Sequence, residues 1–252
     1  MADRDALIAF LDDLLDVAAF EDYGPNRLQV PGSAEVRLVA TGVSAQRELF
    51  QAAATAGAQL VLCHHGLFWS KGPHVVTPGM KTRLEALFRS DMSLAAYHLP
   101  LDAHPDTGNN ALLCQALGLR RAEPFGAVAG RSVGWVGRSD EGIAAGELVE
   151  RCRTATEREP LLLGDGPALV RSAAIVTGGG ASTLSEAVEL GLDALVTGEP
   201  SEPAMADACE AGIHFIAAGH YATEIFGVRR LGELLAERFD VEHRFIDIPN
   251  PV

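Results

Sequence analysis

Apolar residues recur at helical spacing from the start of the chain. Ile8, Leu11, Leu14, Leu15 and Ala18 fall on one face and predict a helix over residues 3–19. A loop at 22–32 follows, marked by the turn cluster Tyr23-Gly24-Pro25-Asn26. The pattern then changes to short continuous apolar runs. Those at 36–41, 60–63 and 93–97 predict strands, separated by helices at 45–56, closed by Gly57, and at 80–90; a further helix follows at 109–118. Strands at 170–177, 193–197 and 213–218 alternate with helices at 182–190 and 203–211, and 242–248 reads as a last strand. Strands that are apolar throughout, rather than alternating, suit parallel sheets covered on both faces. The pattern predicts an α/β chain of two related three-layer units with parallel-rich sheets. Residues 120–135 carry a proline, several glycines and little periodicity, which sets the units at 1–125 and 126–252. The strand 242–248 is able to pair back with the first unit.

The halves also repeat one another. Residues 56–62 resemble 190–196 at an offset of 134, which sets His64 and His65 opposite Gly198 and Glu199. A second match, offset by 122, sets His98-x-x-x-Asp102 against His220-x-x-x-Glu224. In both, a short apolar strand delivers a histidine and an acid follows four residues later. Ligands of open α/β sheets sit beyond the carboxyl ends of the strands. Two such repeats facing each other would bring His64, His65, Asp102, His220 and Glu224 to one pocket between the halves.

Composition narrows the function classes. With 20 Lys and Arg against 34 Asp and Glu, the net charge is −14, which disfavours nucleic acid as a partner. Four cysteines, at 63, 114, 152 and 209, form no C-x-x-C and read as free thiols of a reducing compartment. The acidic amphipathic start lacks the basic, then apolar, plan of a secretory signal, and no apolar run reaches about 18 residues. The cytoplasm is the expected location.

Imidazoles and carboxylates together suit divalent first-row metals such as iron, zinc or manganese. Five such groups exceed one tetrahedral site and fit two ions, which together can activate a water and stabilise a leaving group. Each residue has a plainer alternative. A buried histidine is more often a hydrogen-bonded core residue, although an adjacent pair at a strand end needs two sets of partners. His220 and Glu224 fit a helix-surface pair, and Asp102 a turn or helix cap. His98 is open as ligand, orienting group or substrate contact, and Glu199 as an orienting or proton-transfer group. His74, His104, His214 and His243 read as surface groups, and Cys63 as a core thiol. Gly178-Gly179-Gly180, between a strand and a helix, is a weak phosphate-cradle signal, since no P-loop lysine accompanies it.

These residues bring a family into view. Tyr23-Gly-Pro-Asn-Arg-Leu-Gln-Val30, Cys63-His-His-Gly-Leu-Phe-Trp69, His98-Leu-Pro-Leu-Asp-Ala-His-Pro105, Thr197-Gly-Glu199, Ala218-Gly-His-Tyr-Ala-Thr-Glu224 and the tail Phe245-Ile-Asp-Ile-Pro-Asn-Pro251 resemble the NIF-three-like, or GTP cyclohydrolase 1 type 2, family in its compact bacterial form. The resemblance spans essentially the whole chain. It implies two α/β domains, a dinuclear metal centre with His64, His65, Asp102, His220 and Glu224 as ligands, and a toroidal homohexamer. It also implies a metal-dependent hydrolase acting on a nucleotide-like small molecule, with His98 or Glu199 moving protons. The alternative is a non-enzymatic metal-binding or ring-shaped scaffold protein of metal homeostasis. One departure stands out: the family usually has Asn-Gly-Leu-Gln where this chain has Asn26-Arg27-Leu28-Gln29.

Overall fold

The computed structural model describes residues 1–252. In chain order its first elements are β1 (Ala2–Asp3), α1 (Arg4–Leu14), β2 (Arg27–Val30), β3 (Glu35–Val36), β4 (Leu38–Ser44), α2 (Arg47–Ala56), β5 (Leu60–His65), α3 (Pro78–Arg89), β6 (Ser93–Ala96) and α4 (Leu99–Ala103). There follow α5 (Asn109–Ala116), β7 (Arg120–Val128), β8 (Arg131–Ala144), α6 (Ala145–Thr156), β9 (Leu161–Leu163), β10 (Leu169–Val176), α7 (Leu184–Glu189), β11 (Ala194–Thr197), α8 (Ala204–Ala211), β12 (His214–Ala217), α9 (His220–Thr223), α10 (Ile225–Phe239) and β13 (Glu242–Phe245).

The chain folds as two compact units, Met1–Leu101 with Gly227–Ile248, and Asp102–Phe226 with Pro249–Val252. It therefore crosses near residues 101 and 226, not at the expected position near 125. Residues 120–135 are no linker. They lie in the antiparallel hairpin β7–β8, where Pro124 and Gly126 occupy strand positions and the register shifts between Arg121 and Pro124. Helix α5 belongs with that hairpin, because Leu113 and Cys114 enter the second core beside Ile143, Ile175, Val196 and Ile216.

The first unit has a five-stranded sheet of order β13-β4-β5-β6-β2. β13, β4, β5 and β6 run parallel, and β2 closes the edge antiparallel to β6. The strand at the C-terminal end thus pairs with the first sheet. Phe50, Val61, Cys63 and Leu94 form the core of this unit. Gly57 ends α2 at φ 78°, a left-handed conformation that a Cβ would disfavour. The second unit has the order β7-β8-β10-β11-β12-β9, with β10, β11 and β12 parallel and β9 antiparallel at the edge. The series β4-β5-β6-β2 and β10-β11-β12-β9 match strand for strand, three parallel strands and an antiparallel edge. The sequence repeat therefore has a topological counterpart. No helix is long and apolar enough to cross a membrane.

Two histidines expected at the surface are structural instead. His214 is 7% exposed, and its Nε2 meets the Pro167 carbonyl at 3.0 Å. His243 on β13 lies half-buried, its Nε2 2.8 Å from Thr41 Oγ1, and the face of Gly232 on α10 abuts its ring. Burial pushes the His243 pKa below the ordinary 6.5, against a weaker pull from Glu233. The unfolded chain then takes up this proton first as pH falls, so stability drops below pH 6.5 until the folded pKa is passed. The contribution is at most about 1.4 kcal/mol per pH unit. H243Q is expected to show a shallower loss than the parent below pH 6.5 in urea unfolding across a pH series, and equal slopes would refute the assignment.

All four cysteines are free thiols; Cys63, Cys114 and Cys152 are buried and Cys209 is exposed. Burial pushes Cys114 to about 11 and Cys152 to about 12, and raises Cys63 further. Native protein treated with a thiol-specific reagent near neutral pH is expected to react at Cys209 alone, with the other three released by denaturant. Peptide mapping of a second site labelled in the native state would contradict this.

Candidate metal centre

Strand β5 ends in His64 and His65 because its apolar run continues to the sheet's carboxyl edge. His64 is wholly buried, and its Nδ1 lies 2.9 Å from the Tyr97 carbonyl oxygen. A carbonyl can only accept, so Nδ1 carries the proton and Nε2 the lone pair. His65 Nδ1 meets Ser44 Oγ at 3.2 Å. The two rings are 4.7 Å apart, and His98, just after β6, lies 4.9 Å from His64 and 5.6 Å from His65. Candidate ligand atoms of the three imidazoles all lie within 4.8 Å of one another. Trp69 packs edge-on to His98 at 5.2 Å.

Behind His98 stands Asp22, a residue that no sequence motif marks. Its side chain is 2% exposed and its Oδ1 is 2.7 Å from His98 Nδ1. Burial alone would raise the Asp22 pKa, but bonds from His98, Asn26 and the Leu99 amide hold it below the usual 3.8. A lone aspartate at the start of a turn cluster looks like turn chemistry, and nothing in its spacing suggests otherwise.

In the second unit, β12 delivers His220 and α9 carries the chain on to Glu224. His220 Nε2 is 3.3 Å from Glu224 Oε2, and Nδ1 is 3.4 Å from Glu199 Oε2. The His220 pKa is raised, first by the bond to Glu224 and then, against burial, by the charges of Glu224 and Glu199. Glu224 is 3% exposed. Asp102, on α4, is 6% exposed and takes the Asn109 side-chain amide at 2.8 Å and the Thr177 hydroxyl at 3.5 Å, both on Oδ1. Two donors on one oxygen fix the plane of the carboxylate.

The triple glycine serves this arrangement rather than a phosphate. The Gly178 amide goes to Thr223 Oγ1 at 3.1 Å and the Gly180 amide to Thr197 Oγ1 at 3.0 Å, so two of the three amides are committed within the fold. Gly178 has φ 64°, and a Cβ there would fall on the Glu224 carboxylate. His104 Nδ1 accepts from the amides of Asp106 and Thr107 and stabilises a turn.

The donor chemistry fits a metal. Nitrogen and oxygen ligands of one first-row ion, each about 2.1 Å away, lie roughly 3 Å apart, close to the His220–Glu224 spacing of 3.3 Å. The strand ends thus define an α/β protein whose imidazoles and buried carboxylates could hold a metal ion. The chain belongs to the Duf34/NIF3 (NGG1p interacting factor 3) family, whose profile it matches over residues 2–251. A Pseudomonas aeruginosa protein named GTP cyclohydrolase 1 type 2 homolog is 45% identical over 246 residues, covering 97% of each chain. Among solved structures, protein ybgI, described as of unknown function, superposes with a TM-score of 0.94 at 40% identity over 100% of both chains. A Thermus thermophilus protein gives 0.90 at 35% identity, again over 100% of both.

Arg27, the position set apart in the sequence, stands at φ 89°, a conformation that favours glycine. Its Nε lies 3.2 Å from Asp12 Oδ2, an ion pair that partly offsets the strain. R27A keeps the strain and loses the pair, whereas R27G loses both. R27G is therefore expected to be more stable than R27A by about 1 kcal/mol, read by urea denaturation; an R27A as stable as R27G would remove the strain argument.

Proposed function

We propose that the protein binds two divalent first-row metal ions through His64, His65, Asp102, His220 and Glu224, and is a metal-dependent hydrolase of a nucleotide-like small molecule. The observation that carries the metal half is how the imidazoles of β5 are held. His64 is fully buried with its Nδ1 at the Tyr97 carbonyl, and His65 beside it has its Nδ1 at Ser44. Backing of one ring nitrogen by an acceptor is what orients the other toward a metal. The hydrolytic half is supported by the names of the relatives. When bound, two such ions polarise a substrate and bring the pKa of a water toward neutrality.

The chain's own groups have distinct tasks. Asp102 is set in one orientation by Asn109 and Thr177. Glu224, under Gly178, is set close to His220. Of the two groups expected to move protons, Glu199 is the better suited. Its side chain is 39% exposed, against 19% for His98, so it can exchange protons with solvent while its carboxylate orients His220. Assembly as a homohexamer is part of the proposal; the exposed Leu161 and Leu162 on the edge strand β9 offer apolar surface for self-association.

Elemental analysis of the native protein tests the metal reading, with H64A and E224A beside it. Two ions per chain are expected in the parent, with at least tenfold weaker retention in each variant. Unchanged metal content in both variants would show that the site is elsewhere. Metal-loaded protein that turns over no member of a nucleotide panel would leave a metal-binding protein without the hydrolase.

A further inference from the structure

Three aromatic side chains of the first unit stand open to solvent near its histidines. Trp69 is 36% exposed, Phe68 37% and Tyr23 48%. Large apolar side chains gathered on a surface mark a place where something binds. Tyr23 and Trp69 flank one imidazole, with ring centroids 6.1 Å and 5.2 Å from His98, and Trp69 also lies 5.9 Å from His65. Hydrogen bonds fix the two segments that carry them. The Ser70 amide donates to the Tyr23 carbonyl at 2.6 Å. Gln29 ties the same segments together, since its Oε1 accepts the Leu67 amide at 2.8 Å and its Nε2 donates to the Pro25 carbonyl at 2.7 Å. A Cβ on Gly66 would fall on that Gln29 amide. The Trp69 indole N–H donates to the Gly66 carbonyl at 3.1 Å. The indole has no other polar group, so what it still offers a ligand is the surface of its ring.

We propose that Tyr23 and Trp69 form a stacking platform for the planar base of a nucleotide, and so help to select the substrate of the adjoining site. The inference rests on the nucleotide-like substrate proposed above and assigns the residues that recognise its ring. Aromatic faces attract flat heterocycles by offset stacking, which needs no hydrogen bond and tolerates any base. A platform fixed before binding loses little entropy when the ring arrives. The crevice beneath it, between Pro25, Asn26, Phe68, Trp69 and His98, encloses about 10 Å³, room for a single water at most, so a ring has to lie on the outer side. Residues 23–29 and 66–76 carry Arg27 and Lys71 and no acid, in a chain of net charge −14. A phosphate attached to the ring therefore meets no repulsion from the platform's own segments.

Trp69 itself reports on the contact. The chain has two tryptophans, Trp69 and Trp135, so W135F leaves a single fluorophore. Nucleoside monophosphates of adenine, guanine, cytosine and uracil are titrated into the full chain supplied with metal, with ribose phosphate as the ringless control. At least one nucleotide is expected to quench Trp69 in W135F, and by calorimetry to bind the parent about tenfold more tightly than ribose phosphate does. W69A should weaken that nucleotide about tenfold and leave ribose phosphate unchanged, a split that a merely structural role would not give. W69F should recover part of the loss, and Y23F should match the parent where Y23A does not. Thermal unfolding and metal content, equal in the parent and W69A, check that the variant is intact. Four nucleotides that bind no better than ribose phosphate, or an intact W69A that binds them as the parent does, would overturn the proposal. The two readings fail separately. A parent that takes up no metal yet prefers the ring sinks the metal centre and keeps the platform, whereas one that holds two ions and shows no preference sinks the platform alone.

Discussion

The buried carboxylate of Asp22 joins pieces of chain that would otherwise be independent. It accepts from Tyr23 and Asn26 in the turn cluster, from the Leu99 amide at the start of α4, and from the His98 ring. A carboxylate with 2% exposure is tolerable only while these donors surround it. The turn cluster consequently has one placement against the end of β6. That placement carries Tyr23 and Gly24 to the Phe68–Ser70 segment, where the Ser70 amide donates to the Tyr23 carbonyl at 2.6 Å and Gly24 packs on the Phe68 carbonyl. The segment returns Trp69 to the His65 ring at 5.9 Å and to the His98 ring at 5.2 Å. One desolvated charge thus sets both a ring's tautomer and the loop that covers it.

The second unit reaches a similar end by other means. Strand, short connection, histidine and acid recur after β12 as they do after β6. The histidine of the second set is flanked by carboxylates on both ring nitrogens, Glu199 and Glu224, whereas His98 is backed by one. The space that Glu224 needs comes from the backbone, since Gly178 at φ 64° leaves room for its carboxylate. Glycine here answers a steric demand of the site, which explains why a Gly-Gly-Gly run follows β10 without serving a phosphate.

Much of this was legible in the sequence, because parallel strands buried on both faces announce themselves as apolar runs. β4, β5, β6, β10, β11 and β12 were readable for that reason, as was the doubled His-x-x-x-acid at their ends. What escaped was structure whose residues obey a different rule. β7 and β8 pair through exposed, charged positions such as Arg120, Arg121 and Arg131, so the hairpin looked like a linker and drew a false boundary to itself. β2 hid inside a turn cluster, since an edge strand needs only one paired side. Asp22 was invisible because its significance lies in partners far along the chain, His98 and Leu99. The helix α10, split from α9 at Glu224, was not read at all, yet it packs Arg229 over Phe245 and Phe239 against Phe10 within the first unit.

The strain at Arg27 follows from the same network. Asn26 must point its side-chain oxygen at the His98 amide and its nitrogen at Asp22, while two residues later Leu28 must already pair with Ala95 on β6. The chain makes that turn with Arg27 at φ 89°. Glycine would accept the geometry without cost, but arginine adds something glycine lacks. Its guanidinium meets Asp12, whose pKa burial raises above the usual 3.8 against the opposing pulls of the Tyr97 hydroxyl and then Arg27, and Asp12 in turn accepts the Tyr97 hydroxyl at 2.9 Å. Tyr97 is fully buried, and its carbonyl backs His64. An ionised Asp12 is the stronger acceptor, so Arg27 strengthens the anchor of the residue whose carbonyl sets the His64 tautomer. Arginine at this position trades backbone comfort for a firmer second support beneath the imidazoles of β5.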